Sequence, residues 1–516
     1  METSIHATCP YHSEGQTEGS GRSGPADRTL KDLPGPVGLP LLGNILQLDL
    51  KKLHTILEGW ATVYGPMYRF RIAGKTVVAI SDPDLIHEVS RKRPASYRRL
   101  ESIELVLKEL GINGVFSSEG DQWYRQRRIA MQALNTSHLQ GFFPTLVKVT
   151  ERLKTRWEKA AKEGHAVEVR NDLMRYSIDV TSNLAFGYDV NTLEGKGDDI
   201  QRHVEKILPM MNRRINAPFP YWHFFKLPAD RILDESLLAL RKAIGEFIAH
   251  SRERLARNPD LATHPTNFLE AMLAAQDMGD TQFTDDEIFG NVLTMLVAGE
   301  DTTAYTLAWM IHFLTEHPDI QMHMQQETDT VLSHSTMLCD FQDHERLRYI
   351  EAATYETLRL KAVVPVLLLE ANHAVELGGV RIPAGTAIFL LTRQSGLGEP
   401  ASAAPSQFQP ERWLASHGGE KAGYNSKAFV PFGVGPRSCP GRNLALLEVK
   451  SVMAMLCRNF SISRIPGTPR VAERFSVVMM PTTFLVNFRK RESCHLPLEY
   501  QQPFTLTTCP YAGVAP

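Results

Sequence analysis

Residues 432–441 read Phe-Gly-Val-Gly-Pro-Arg-Ser-Cys-Pro-Gly. Pro440 suits the first turn of a helix, and Asn443 to Leu456 carries helical periodicity, so Cys439 is expected at a helix N-terminus. There the macrodipole and the free backbone N–H groups stabilise a thiolate. Gly433, Gly435 and Gly441 allow the backbone to pass close to something flat and bulky. Arg437 adds a permanent cation suited to a carboxylate. A lone buried cysteine with chance neighbours does not account for these features together. A second unusual stretch is Ala298-Gly299-Glu300-Asp301-Thr302-Thr303. Glycine weakens a helix, and threonine hydroxyls can bond the i−4 carbonyl and bend it. The stretch is either a tolerated irregularity or a local opening that holds water or a ligand. Glu356 and Arg359, read on their own, are a solvated i,i+3 helix pair.

The elements that must position these groups are mainly helical. Thr284-Asp285-Asp286-Glu287 forms a capping box, and a helical pattern then runs from about 285 to Glu316. About 32 residues at about 1.5 Å each give roughly 48 Å, enough to cross a whole domain. Nearer the N-terminus, Met67 to Ile72 alternates as a strand, Gly74 marks a turn, and Thr76 to Ile80 is an apolar strand. Asp82 and Pro83 start a helix as N-cap and first helical residue. From about 120 to 360 the pattern is helical; from 363 to 395 strand and turn signals return, around Pro383-Ala384-Gly385-Thr386. The chain thus reads as one mainly α domain with minor β over 34–492. A disordered polar tail at 1–33 precedes it and a loose tail at 493–516 follows. Thr-Cys-Pro-Tyr stands in both tails, at 8–11 and 508–511, as a chance match.

Of 516 residues, 43% are hydrophobic and 22% charged, which excludes a disordered, collagen-like or coiled-coil chain. Lys+Arg 56 against Asp+Glu 58 leaves a formal charge of -2, so no nucleic acid partner is expected. The 6 cysteines include no C-x-x-C pair and form neither a disulfide scaffold nor a zinc cluster, which indicates a reducing compartment. No apolar run is long enough for a signal peptide or an integral membrane span, so a soluble, cytoplasmic protein is expected.

The cysteine loop resembles the F-x-x-G-x-R-x-C-x-G signature of the cytochrome P450 haem-thiolate monooxygenases, through Phe432, Gly435, Arg437, Cys439 and Gly441. Glu356-Thr357-Leu358-Arg359 matches the family's E-x-x-R helix. Phe408-Gln409-Pro410-Glu411-Arg412-Trp413 resembles its P-E-R-F segment, with Trp413 for the usual Phe. Ala298 to Thr303 fits the oxygen-activation helix A-G-x-D/E-T-T, and Trp123-Tyr124-Arg125-Gln126-Arg127 fits W-x-x-x-R. All stand in the family's order over about 34–490. The resemblance implies the P450-like fold, a large helical domain with a long central helix over the haem and a small β-rich region. It also implies heme b, with Cys439 as the axial ligand of the iron. Trp123, Arg127 and Arg437 would donate to the haem propionates. Phe432, Gly433 and Gly441 would shape the surroundings of the sulfur. Glu356, Arg359 and Arg412 would form a buried ion-pair network beneath the loop. Asp301, in preference to Glu300, would relay protons beside the Thr302 hydroxyl.

By the same resemblance, one atom of O2 enters an organic substrate, by hydroxylation or epoxidation, and the other becomes water. Electrons would come from a separate ferredoxin, flavodoxin-like donor or cytochrome P450 reductase, because no flavin fingerprint or iron–sulfur cysteine cluster follows the domain. Arg125, Arg127, Arg128, Arg442, Lys450 and Arg458 are expected to form a basic face for that donor. Val363, Val364, Val366, Leu367 and the run Val477-Val478-Met479 are apolar pocket candidates, so the substrate is expected to be an apolar small molecule. Residues 207–227, rich in methionine and aromatics, are a lid, ordinary packing or a shallow membrane contact. Arg98 and Arg99, in the loop before the Trp123 helix, either meet a substrate carboxylate or, the favoured reading, lie at the solvent. Two other classes share the cysteine signature. One is a peroxygenase or isomerase that needs no reductase, against which the intact Asp301-Thr302 argues. The other is a haem-binding protein without turnover.

Overall fold

The computed structural model describes residues 28–195, 199–217, 219–277, 283–398, 404–414 and 425–492. Its axis is the helix Asp285–Glu316, opened by the Thr284/Glu287 capping box. Both of its halves are buried, so it is apolar nearly all round. The helix Val169–Phe186 runs against it, and a Cβ on Gly299 would come within 2.2 Å of Thr181 Cγ2. Glycine stands there because two helix backbones approach closely. The helix continues without a break through 298–303, so the irregular composition reflects packing and does not open the backbone.

Two further helices complete the scaffold of the site. Arg348–Leu360 carries Glu356 and Arg359, and Arg442–Asn459 follows the cysteine loop. One apolar core joins both to the central helix through Leu307, Ile311, Ile350, Leu447 and Met453. A second core packs Ile288, Leu293 and Val297 of the central helix against Ile178, Leu240 and Trp222.

The β structure is peripheral. A five-stranded sheet runs in the order Met67–Ile72, Lys75–Ile80, Ala387–Leu390, Leu367–Ala371, Tyr97–Arg99. The first pair is antiparallel, Met67 opposite Ile80, around a turn in which Ala73 and Gly74 both have positive φ. Asp82 caps the next helix by accepting from Leu85 N, with Pro83 as first residue, as the sequence indicates. Arg28–Thr29 adds a parallel strand to Val380–Ile382, and Leu33 is buried. Residues 28–33 are therefore part of the fold, where the tail was expected to run to 33, because Thr29 and Asp32 cap a short turn that seats Leu33. Residues 1–27 and 493–516, with both Thr-Cys-Pro-Tyr stretches, lie outside the described residues.

Candidate active site

The cysteine loop is closed by backbone bonds. Cys439 N donates to Phe432 O at 2.7 Å, and Gly433 N donates to Val430 O at 3.0 Å. Gly433 and Gly435 have φ of +69° and +75°, and a Cβ on Gly435 would collide with Arg91 Cα at 2.9 Å. Gly433 is fixed by conformation, and Gly435 by conformation and by contact. Gly441 is not: it has ordinary φ, caps the Arg442–Asn459 helix, and bonds its N–H to the Cys439 sulfur. The helix thus starts just beyond the residue expected. The Cys439 side chain is exposed at the mouth of its loop, though the loop lies within the fold and protein surrounds it. Burial pushes the thiol up, while the Gly441 N–H and the Arg127 and Arg442 charges pull it down. Helix position alone therefore does not make a thiolate here. A metal bound to the sulfur would.

Cations gather beside the loop. Trp123, buried, and Arg127 both project from the helix Gly120–Ala133. Arg437 lies 4.2 Å over the Trp123 ring and pairs with Glu119. Arg127 Nη2 donates to Ser438 Oγ at 3.4 Å. Burial and the Arg93 and Arg437 charges push Arg99 down to about 9. Burial also pushes Arg437 down to about 10, helped by Arg93 and Arg127 and opposed by Glu119. The Nε atoms of Arg93, Arg99 and Arg437 are buried without a hydrogen-bond partner among the described residues. Such a cluster calls for anions. A group bearing a metal that takes a thiolate and carboxylates that take guanidinium groups fits these donors, and haem is such a group.

Beneath the loop, Glu356 and Arg359 are both fully buried, which overturns the solvated-pair reading. Arg359 Nε and Nη2 each donate to Glu356 at 2.8 Å. Arg412 Nε, Gln409 N and Trp413 Nε1 each donate to the same carboxylate at 2.9 Å. Trp413 is thus a hydrogen-bond donor that the usual Phe would not supply. Arg359 also reaches the carbonyls of Pro405 and Gln407, which pins the 404–414 segment to the helix.

On the central helix, exposed Ala298 and half-buried Thr302 share one face, and Thr302 Oγ1 donates to Ala298 O at 2.8 Å. Asp301 and Glu300 are buried. Burial pushes Asp301 up to about 6, against a hydrogen bond from Tyr305 and the Arg170 charge. Glu300 is pushed further, well above the carboxylate range, by burial and by the Asp301 and Glu205 charges. Both acids are thus harder to ionise than a solvated carboxylate.

Residues 33–488 match the family model for cytochrome P450. This chain belongs to the cytochrome P450 family. It is therefore a haem-thiolate monooxygenase by family, using heme, O2 and electrons from a redox partner. It is 26% identical to cytochrome P450 3A12 of Canis lupus familiaris over 444 residues, 83% of this chain and 85% of that one. It is 27% identical to trans-cinnamate 4-monooxygenase of Zinnia elegans over 464 residues, 85% of this chain and 88% of that one. The crystal structure of the cytochrome P450DA heme domain superposes with a TM-score of 0.78 at 23% identity, covering 89% of this chain and 98% of that one. Among the described residues, no helix of this P450 is long and apolar enough to cross a membrane.

Several expectations need correction. Lys450 is buried and bonds Glu351 and the His344 carbonyl, and Arg458 pairs with Asp329 at 2.6 Å. Neither belongs to an exposed basic face, because each neutralises a carboxylate between helices. Arg98 is held by Glu104 and Glu370, and Arg99 lies 3.7 Å from the Phe116 ring, so neither points freely to solvent. Within 207–227, Met211, Tyr221 and Trp222 pack into the core while Phe219, Phe224 and Phe225 are exposed. Sequence reasoning missed Arg93 and Glu119, and it placed Arg99 at the solvent in preference to a carboxylate. The strand Tyr97–Arg99, paired with Leu367–Ala371, brings that distant basic stretch to Arg437. The clustering of Arg91, Lys92, Arg93, Arg98 and Arg99 was the available signal.

Proposed function

We propose that this P450 oxygenates an apolar small molecule between the Cys439 loop and the Ala298/Thr302 face of the central helix. The proposal rests on one observation above all: an accessible cysteine sulfur set beside a buried, under-neutralised arginine cluster. Cys439 would hold the haem iron, with Phe432 and Gly433 in the loop and the Gly441 N–H on the sulfur. Arg93, Arg99, Arg127, Arg437 and Trp123 would hold the haem carboxylates. Bound haem supplies the activation of O2 by two electrons. Asp301 would take up protons and Thr302 would pass them on through its hydroxyl. Glu356, Arg359 and Arg412 would keep the loop in place.

The electron donor would be a separate ferredoxin, flavodoxin-like protein or reductase. A smaller face than expected would serve its docking: Arg128 and Arg125, the latter 3.5 Å from Glu287, are exposed on the Gly120–Ala133 helix, and Arg442 is half-buried at the start of the helix after the cysteine loop. The 28–492 stretch would be the working domain, and the cysteine usage favours the cytoplasm.

The test is a spectral binding screen of apolar compounds on holoprotein, followed by turnover with a reconstituted donor. A low-spin to high-spin shift and donor-dependent product are expected. Turnover with hydrogen peroxide alone, indifferent to every donor, would favour the peroxygenase reading.

A further inference from the structure

Two apolar stretches that stand out in the sequence, at 363–367 and 477–479, are tied in the fold to one carboxylate. Val363 and Val478 share a small core with Tyr305 of the central helix, and Phe432 of the cysteine loop packs against it. Met479 N donates to Val363 O at 2.8 Å, so the two stretches also touch. Val477 and Val478 form the turn of a hairpin, Glu473–Phe475 paired with Met479–Pro481. This hairpin is a two-stranded sheet by itself, and such a ribbon is marginal alone. At its base Glu473 stands opposite Pro481, which has no N–H to give to the ladder. Side chains must therefore fix where the hairpin lies.

Those side chains converge on Glu473. Lys361 Nζ donates to its Oε1 at 2.5 Å, and Arg393 Nη1 lies 2.8 Å from the same oxygen. His54 Nε2 is 2.8 Å from Oε2. Arg393 also donates from Nε to Glu58 at 2.8 Å. His54, Glu58 and Arg393 are buried, and the Glu473 side chain is 16% exposed. Lys361 ends the Arg348–Leu360 helix two residues before Val363, and its Nζ lies 4.9 Å over the Trp309 ring of the central helix. His54 and Glu58 come from the helix Leu53–Tyr64, and Arg393 from Thr392–Leu397. One carboxylate thus joins the hairpin base to the segment that leads into Val363. Without it, Lys361 and Arg393 would share Glu58 as their nearby anion, and a cation held inside the fold would lose its partner.

Taking the site as one for an apolar substrate between the Cys439 loop and the central helix, we propose that Glu473 is a positioning residue for substrate selection. It holds the Val477-Val478 turn in register with Val363 and Val364, and through these two walls it sets how much apolar surface a ligand can bury.

The test is optical titration of the holoenzyme with imidazole and with N-octylimidazole, read by the Soret shift of nitrogen ligation to the haem iron. Imidazole reports on the iron alone, and the octyl chain adds contact with the apolar walls. The wild type should bind the octyl compound about tenfold tighter or more. Glu473→Gln keeps the size and removes the charge; it should leave imidazole within about twofold and weaken N-octylimidazole about tenfold, the worth of roughly two buried methylene groups. With Val478→Ala already in place, Glu473→Gln should weaken the octyl compound little further, because both changes act on one wall. Lys361→Met should move the octyl compound the same way, and it carries the test should Glu473→Gln not accumulate. Unmoved N-octylimidazole affinity in both variants overturns the proposal. Equal weakening of both ligands overturns it too, because that marks damage to the haem site as a whole. A wild type that binds the two ligands equally defeats the apolar-substrate reading itself, and the proposal with it.

Discussion

Glu356→Ala tests the scaffold beneath the cysteine loop. The wild-type carboxylate is wholly buried and accepts from Arg359, Arg412, Gln409 and Trp413, at 2.8 to 2.9 Å. Truncation leaves two guanidinium groups, an indole N–H and the Gln409 backbone N–H without that acceptor. Arg359 retains the Pro405 and Gln407 carbonyls, so part of its hydrogen bonding survives, but no anion does. Breaking a buried pair from one side costs about 3–5 kcal/mol, a large share of the roughly 5–15 kcal/mol that holds a native protein folded. Urea unfolding followed in parallel by far-UV circular dichroism and haem absorbance should show a loss of that size and poor haem retention. Arg359→Ala and the double mutant close a cycle, with a coupling of about 1–3 kcal/mol expected between the partners. A Glu356→Ala protein within about 0.5 kcal/mol of wild type, with normal haem content, would refute the buried-network account.

Thr302→Ala should keep the substrate-induced spin shift while product per electron pair falls and hydrogen peroxide appears; full coupling would move the hydroxyl role to Thr303 or a water. Asp301 weighs against folding only when ionised, because burial raises it from 3.8 to about 6. The penalty is absent below about pH 4 and grows as pH rises through 6. Asp301→Asn should therefore stabilise by about 3 kcal/mol at pH 8 and hardly at all at pH 4; equal effects at both would contradict burial as the cause. Arg437→Gln and Arg99→Gln should each speed haem transfer to an acceptor protein by about tenfold or more, the worth of one hydrogen bond to a charged group. Haem loss unchanged in both would separate the arginine cluster from the cofactor.

Local rules made some parts of this structure readable from sequence. The Thr284/Glu287 capping box and the Asp82-Pro83 start depend on a few adjacent residues, and both appear as expected. Gly299 was read as a weakness in its helix, because the reason for it is Thr181, which no local pattern reveals. Glu356 and Arg359, read without the E-x-x-R resemblance, looked like a surface pair for the same reason, because the burying segment lies at 404–414; the resemblance is what pointed to a buried network. Lys450 and Arg458 looked like docking charges because their carboxylate partners, Glu351 and Asp329, come from other helices. Arg93 and Arg99 reach the site only through strand pairing with Leu367–Ala371. Neighbours in sequence were legible; partners brought together by the fold were not.

The most direct measurement is the spectrum of the reduced carbon monoxide adduct of purified holoprotein and of Cys439 variants. The account predicts about one b-type haem per chain and the red-shifted Soret band of thiolate ligation, lost in Cys439→His even where haem is retained. A Cys439→Ala protein that keeps the thiolate band would contradict the assignment of the ligand and, with it, the site built around this loop.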